Sequence, residues 1–222
     1  TLPKPIILLC KLGFNFLLFD GYALSKVIPK NYISNFHFAL FPLIRLDKFK
    51  RKFNKKIYNN RMIIGVVGNF RSEKIDNEKL IQTLLTIKNI DGVELLLGSR
   101  SFNPNLESIF QPKDVYVTKT DSDYLKFLRK INYLLIFAKK ESYFFRHSGT
   151  ISDALQNYVL PIVPAYPVFI SQVSNPCKVG YVYNKIEELA VIFKSINKQY
   201  GKKQSLIRKY LDTRGAAQYL DS

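Results

Sequence analysis

Cysteine, histidine and acidic residues are scarce in this 222-residue chain, and each scarcity removes a class of chemistry. There are two cysteines, Cys10 and Cys177, and two histidines, His37 and His147. Neither pair has metal-ligand spacing, so no metal site is expected, and two distant thiols make no disulfide framework. The thiols are expected to stay reduced, as in a cytosolic protein. Only 17 acids stand against 34 basic residues, a net charge of +17. Carboxylates are few where strands should end, so a catalytic base is expected outside this segment. No G-x-G-x-x-G, P-loop or H-E-x-x-H occurs, which sets aside dinucleotide, Walker-type and metalloprotease readings. Long apolar runs are missing as well. Residues 5–24 are apolar but broken by Lys11 and Asp20, too short a clean run to span a bilayer. No small-residue cleavage pattern follows them.

What is present points to a folded chain with an anionic partner. Hydrophobic residues make up 47%, enough for a sizeable core. The positive balance, with an isoelectric point near 9.8, suits phosphate-bearing substrates, an anionic membrane or nucleic acid. A dense basic run at 48–56 reads either as a membrane contact or as a solvated linker. No RRM, KH or helix-turn-helix pattern appears, and aromatics are not interleaved with basic residues for base stacking. No nucleic-acid partner is expected. The chain begins with Thr1 rather than Met and is expected to be part of a longer or processed protein.

From residue 62 onward apolar runs alternate with helical spacing. Strands are expected at 62–68, 93–98, 114–119, 131–138, 159–165 and 179–183. Helices are expected at 77–90, 121–130, 148–158 and 185–200, with an amphipathic stretch at 205–220. This alternation argues for an α/β fold, a Rossmann-like doubly wound parallel sheet with helices on both faces. Ligands on such sheets sit at the carboxyl ends of strands, which selects the loops after Gly68, Gly98, Lys119 and Ala138. Upstream, 5–10 and 36–42 read as strands with a helix between them, too little for an independent α/β domain. The expected organisation is 1–57 as the end of an upstream domain with a basic linker, 58–202 as the ligand-binding domain, and 203–222 as a closing helix.

Two loops carry candidate chemistry. Gly68-Asn69-Phe70-Arg71-Ser72-Glu73-Lys74 follows the first strong strand. Gly68 allows close backbone approach, and Arg71 and Lys74 can reach a diphosphate, one as a planar fork and one as a point charge. The alternative is a solvated polar loop. The second loop is Arg146-His147-Ser148-Gly149-Thr150-Ile151-Ser152-Asp153-Ala154-Leu155. A helix start offers unpaired N–H groups and partial positive charge, which suits a phosphate. Ser148, Gly149 and Thr150 would supply N–H groups, Arg146 a charge, and Asp153 an acceptor for ribose hydroxyls. The alternative makes Ser148 an N-cap and Asp153 a first-turn acid. His147 is either a general acid or a loop histidine without a chemical role.

The order of these motifs, with L-P-I-V at 160–163 closing the helix, resembles the C-terminal half of GT-B glycosyltransferases of the retaining, group 1 or family 4-like kind. The resemblance covers about 60–200. It implies a donor site for a nucleotide-diphosphate sugar, with Arg71 and Lys74 as the catalytic phosphate contacts and Asp153 on the ribose. It also implies a glycan or lipid-linked acceptor and metal-independent chemistry with no cofactor. The expected location is cytoplasmic, peripheral at an anionic membrane face. Three positions depart from the pattern: Asp153 replaces a glutamate, Phe145 stands where the first acid of the E-x7-E pair belongs, and Ile75 replaces a glycine. The alternative is therefore a degenerate, non-catalytic module that binds a partner glycosyltransferase or the membrane.

Overall fold

The first strong apolar run, 62–68, becomes the centre of a sheet. A computed structural model describes residues 2–41, 43, 62–68, 77–100, 106, 108–196 and 200–215. Six strands form one sheet: β3 (Met62–Gly68), β4 (Val93–Ser99), β5 (Val115–Val117), β6 (Tyr133–Leu135), β7 (Leu160–Pro164) and β8 (Tyr181–Tyr183). Their order is β5-β4-β3-β6-β7-β8, and every pairing is parallel. In chain sequence that is third, second, first, fourth, fifth, sixth, the doubly wound Rossmann order. The expected fold class is the observed one.

The order decides where a ligand can sit. From β3 the chain steps outward to β4, whereas from β6 it steps the other way to β7. Right-handed crossovers therefore put α2 (Asn77–Lys88) and α5 (Gly149–Gln156) on opposite faces. The switch point of the order therefore lies between the carboxyl ends of β3 and β6, where ligands of such sheets bind.

Helix α2 buries the expected face, Leu80, Leu84 and Ile87, each at most 1% exposed. Each such side chain contributes about 1.5–3 kcal/mol. Helix α3 (Asp121–Leu128) lies under the sheet centre, where Phe127 fills the space beside Gly65 and Gly98. A Cβ at Gly98 would meet the Phe127 ring at 3.1 Å. Helices α4 (Lys140–Tyr143), α6 (Pro167–Ser174), α7 (Glu188–Ile196) and α8 (Tyr200–Arg214) complete the unit. Helix α6 has no counterpart in the expectation. Its polar Ser171 and Gln172 are buried along with Val168, Phe169 and Val173, so polar and apolar residues do not separate into the solvent and core faces that mark a helix in sequence.

The N-terminal segment corrects two expectations. Residues 5–10, expected as a strand, are helical: α1 spans Lys4–Lys11. Pro5 sits in its first turn, where the missing N–H is harmless, and Cys10 is buried while Leu8 faces solvent at 58% exposure. The helix expected between strands is instead β1 (Phe16–Phe19) followed by two 3-10 turns, Tyr22–Lys26 and Lys30–Asn35. Strand β1 pairs in parallel with β2 (Phe36–Ala39), Phe16 opposite Phe36. Phe16 and Leu18 pack inward with Leu24, Ile28 and Val168 of α6. Leu17 and Phe19 point outward. The basic run at 48–56 lies outside the described residues.

Candidate functional site

The two helix starts on the lower face of the sheet are built differently. At α3, Thr120 is a working N-cap: its Oγ1 accepts from the Asp123 N–H at 3.1 Å and donates to the Asp123 carboxylate at 2.7 Å. That bond holds the Asp123 carboxyl below its usual value. At α5, Ser148 stands in the N-cap position but its side chain makes no cap hydrogen bond. The first turn of α5 is thus left open, although a serine is there to close it.

Ser148 is held by its backbone instead. Its N–H donates to Gln172 Oε1 and its carbonyl accepts from Gln172 Nε2, both at 3.0 Å. That commits the Ser148 N–H and leaves Gly149 and Thr150 as the donors at the helix start, where helix geometry supplies no acceptor. Gly149 is exposed, and a Cβ built on it meets nothing within 4 Å; the same is true of Gly68 at the end of β3. Both glycines stand at the carboxyl side of the sheet, one at the end of β3 and one in the helix start after β6. Arg146 is exposed, with its guanidinium 6.0 Å from the Tyr143 ring centroid. Arg71 and Lys74 lie outside the described residues.

Asp153 lies one turn into α5, beside Tyr124 of α3 and near Asp121. Burial raises its carboxyl above the usual range and Asp121 adds to this, while Tyr124 and His147 pull it down. The Tyr124 hydroxyl is itself buried and faces Asp153 and Thr150 without a hydrogen bond of good geometry. Burial, then the Asp153 charge, push its phenol up. A carboxyl whose charged form burial disfavours, beside a polar group with unmet capacity, is the kind of arrangement that ligand sites retain. The sign is testable. A raised native value means the native state loses stability as pH climbs from the ordinary carboxylate range through that value. Asp153→Asn should therefore have a higher urea midpoint than the wild type at pH 7, and the gap should close on acidification. A gap that widens towards acid would refute this.

A cleft of about 390 Å³ opens at the carboxyl ends of β6, β7 and β8, lined by Phe137, Lys139, Tyr166, Tyr183 and Lys185. Its wall is fixed by two phenols bonded to the backbone past β6: Tyr166 to Ala138 O at 2.7 Å and Tyr183 to Ile136 O at 2.9 Å. The volume suits a small ligand. The expectation of metal-free chemistry overlooked an Asp-x-Asp triplet, the only one in the sequence, at Asp121–Asp123. It opens α3, and Asp123 is taken by Thr120 and by Lys126 at 3.4 Å. Among the described residues no group of three or more metal-ligating side chains assembles. No helix of the described residues is long and apolar enough to cross a membrane.

His147, the candidate general acid, is turned into the protein. Its Nε2 lies 3.1 Å from Asp20 Oδ2 and 3.2 Å from Ser152 Oγ, and Phe41 stacks on the ring at 4.2 Å. Asp20 and Gln172 hold this loop and Arg214 pairs with Asp20, and sequence reading missed all three. They come from elements 24 or more residues away, with no spacing to mark them.

No protein-family profile matches the sequence, and no curated protein does. Solved structures match well. A glycosyltransferase from Rickettsia africae ESF-5 superposes with a TM-score of 0.63 at 14% identity, over 96% of this chain and 63% of that one. TarM superposes with a TM-score of 0.61 at 13% identity, over 98% and 44%. WaaG, a glycosyltransferase involved in lipopolysaccharide biosynthesis, does so at 0.52 and 15%, over 81% and 53%. The chain thus spans between 44% and 63% of these proteins. What they share at such identity is fold: the six-stranded unit is the Rossmann-like half of a GT-B fold.

Proposed function

We propose that this chain is the donor-binding part of a glycosyltransferase that moves a sugar from a nucleotide-diphosphate sugar to a glycan or lipid-linked acceptor. The acceptor belongs to cell-surface polysaccharide assembly. The observation that carries this reading is the uncapped first turn of α5 at the switch point of a GT-B half-fold. Anions bind where N–H groups and the helix dipole converge, and the +17 charge draws them there.

In this reading the N–H groups of Gly149 and Thr150 and the Arg146 guanidinium receive the diphosphate. Arg71 and Lys74, in the loop that follows Gly68, are the catalytic contacts. The bond from the sugar C1 to the phosphate oxygen breaks, and the acceptor oxygen bonds to C1. The acceptor proton passes to a base outside this chain. Each charged donor stabilises the departing diphosphate by about 2–4 kcal/mol. Asp153 accepts from ribose hydroxyls. Neither metal nor cofactor is required. The protein works in the cytoplasm at an anionic membrane face; vesicles with anionic lipid should retain it at low salt and release it at high salt. Retention independent of salt would refute that location.

Calorimetric titration of UDP, GDP and a nucleoside monophosphate tests the site directly. Diphosphate-selective binding, weakened roughly tenfold or more in Arg146→Ala, is the expected result, since a charged hydrogen bond contributes about 1.5–3 kcal/mol. No binding by the folded chain, nor by a longer form carrying its upstream residues, would instead mark a non-catalytic module that docks a partner glycosyltransferase.

A further inference from the structure

We infer that His147 is a positioning residue, through which the docked N-terminal segment sets the first turn of α5. The inference rests on the donor-site reading for its functional consequence, but not for its geometry.

Three elements converge on the dipeptide His147–Ser148. Asp20, just past β1, is fully buried and holds a left-handed φ of 55°, a conformation Asp tolerates better than most residues. It aims one carboxylate oxygen at Arg214 Nη1, 2.6 Å away, and the other at His147 Nε2, 3.1 Å away. Phe41, just past β2, covers the imidazole at 4.2 Å with its ring tilted by only 29°. On the other side, the Gln172 amide of α6 grips both backbone groups of Ser148. The Gln172 carbonyl in turn accepts from the Tyr210 hydroxyl of α8. Helix α8 ends at Arg214, whose guanidinium donates to Asn175 O at 3.1 Å and whose carbonyl accepts from Leu43 N at 3.0 Å.

Nε2 lies between two groups of the protein itself, the Asp20 carboxylate at 3.1 Å and the Ser152 hydroxyl at 3.2 Å, so this nitrogen is engaged inside the fold. Ser152 stands on the first turn of α5. The ring therefore ties a buried acid of the N-terminal segment to the helix turn that offers Gly149 and Thr150. Moving β1 and β2 away removes Asp20 and Phe41 together, and His147 is left with Ser152 alone. The docked segment is thereby coupled to the anion-binding turn without touching a ligand.

Hydrogen exchange by mass spectrometry on the full chain tests this. In His147→Leu, amides of 146–152 should exchange roughly tenfold faster while those of β7 stay protected, as expected of coupling through a packed network. UDP or GDP affinity should fall by a similar factor. His147→Gln, whose amide can still donate to Asp20, should retain near wild-type behaviour in both. If His147→Leu does not fold, Phe41→Leu, which removes the ring stacked on the imidazole and leaves the Asp20–Arg214 pair intact, carries the same comparison, with acceleration again confined to 146–152. Unchanged exchange at 146–152 in a folded variant would overturn the inference. So would acceleration spread equally over β7, which marks general loosening. If the wild type binds no diphosphate yet exchange responds as expected, the donor-site reading fails and the positioning role stands.

Discussion

Arg214→Ala is expected to lower the unfolding free energy by about 3–5 kcal/mol, because it strands a buried carboxylate. Asp20 is 0% and Arg214 1% exposed, and their closest atoms are 2.6 Å apart. The guanidinium also bonds Asn175 O through two of its nitrogens and stacks on Tyr210 at 4.4 Å. Alanine removes all three contacts and leaves Asp20 with His147 alone. Since domains are stable by only about 5–15 kcal/mol, the loss should show as a large drop in urea midpoint. A buried pair need not itself stabilise, however: desolvating both charges offsets much of their attraction. The double variant Asp20→Asn/Arg214→Met removes both charges and keeps a residue that tolerates the left-handed φ of 55°, and it should therefore recover much of what Arg214→Ala loses. An Arg214→Ala loss below about 1 kcal/mol, in the range of surface pairs, would show that the pair is not buried in solution.

The same pair explains what could be read in the sequence and what could not. Strands at 62–68 and 93–98 announce themselves because a parallel sheet covered on both faces needs unbroken apolar runs. Leu80, Leu84 and Ile87 announce α2 because only one face of it is covered. The run 5–10 misled for a related reason: an unbroken apolar stretch has no periodicity, so its strand and helix readings are indistinguishable. The open start of α5 was legible as a helix start after a strand. Which N–H groups remain open there was not, since Gln172, 24 residues on, decides it. Asp20 looked like a polar interruption of an apolar stretch. Its partner lies 194 positions away at the end of α8, and no local pattern encodes a contact of that range.

Two glycines should respond to alanine with opposite results, and the contrast separates packing from binding. Gly180, just before β8, has no room. A Cβ there would lie 2.7 Å from Val173 Cβ and 2.8 Å from the Pro161 carbonyl oxygen. Neither atom is the loose end of a side chain, so α6 or β7 must shift, at a cost of about 1–3 kcal/mol or more. Because Val173 follows Gln172, the shift also moves the grip on Ser148. Gly149 has nothing within 4 Å of its would-be Cβ and already has helical geometry in α5. Alanine there should be neutral or stabilising by up to about 1 kcal/mol. If the open space above Gly149 is where phosphate oxygens approach the backbone, the added methyl keeps them out. Gly149→Ala should then keep or raise Tm while losing diphosphate affinity, whereas Gly180→Ala should lower Tm first. Unchanged diphosphate affinity in Gly149→Ala would move the anion away from the start of α5. A Tm for Gly180→Ala within a degree of wild type would mean that Gly180 is not closely packed between Val173 and Pro161.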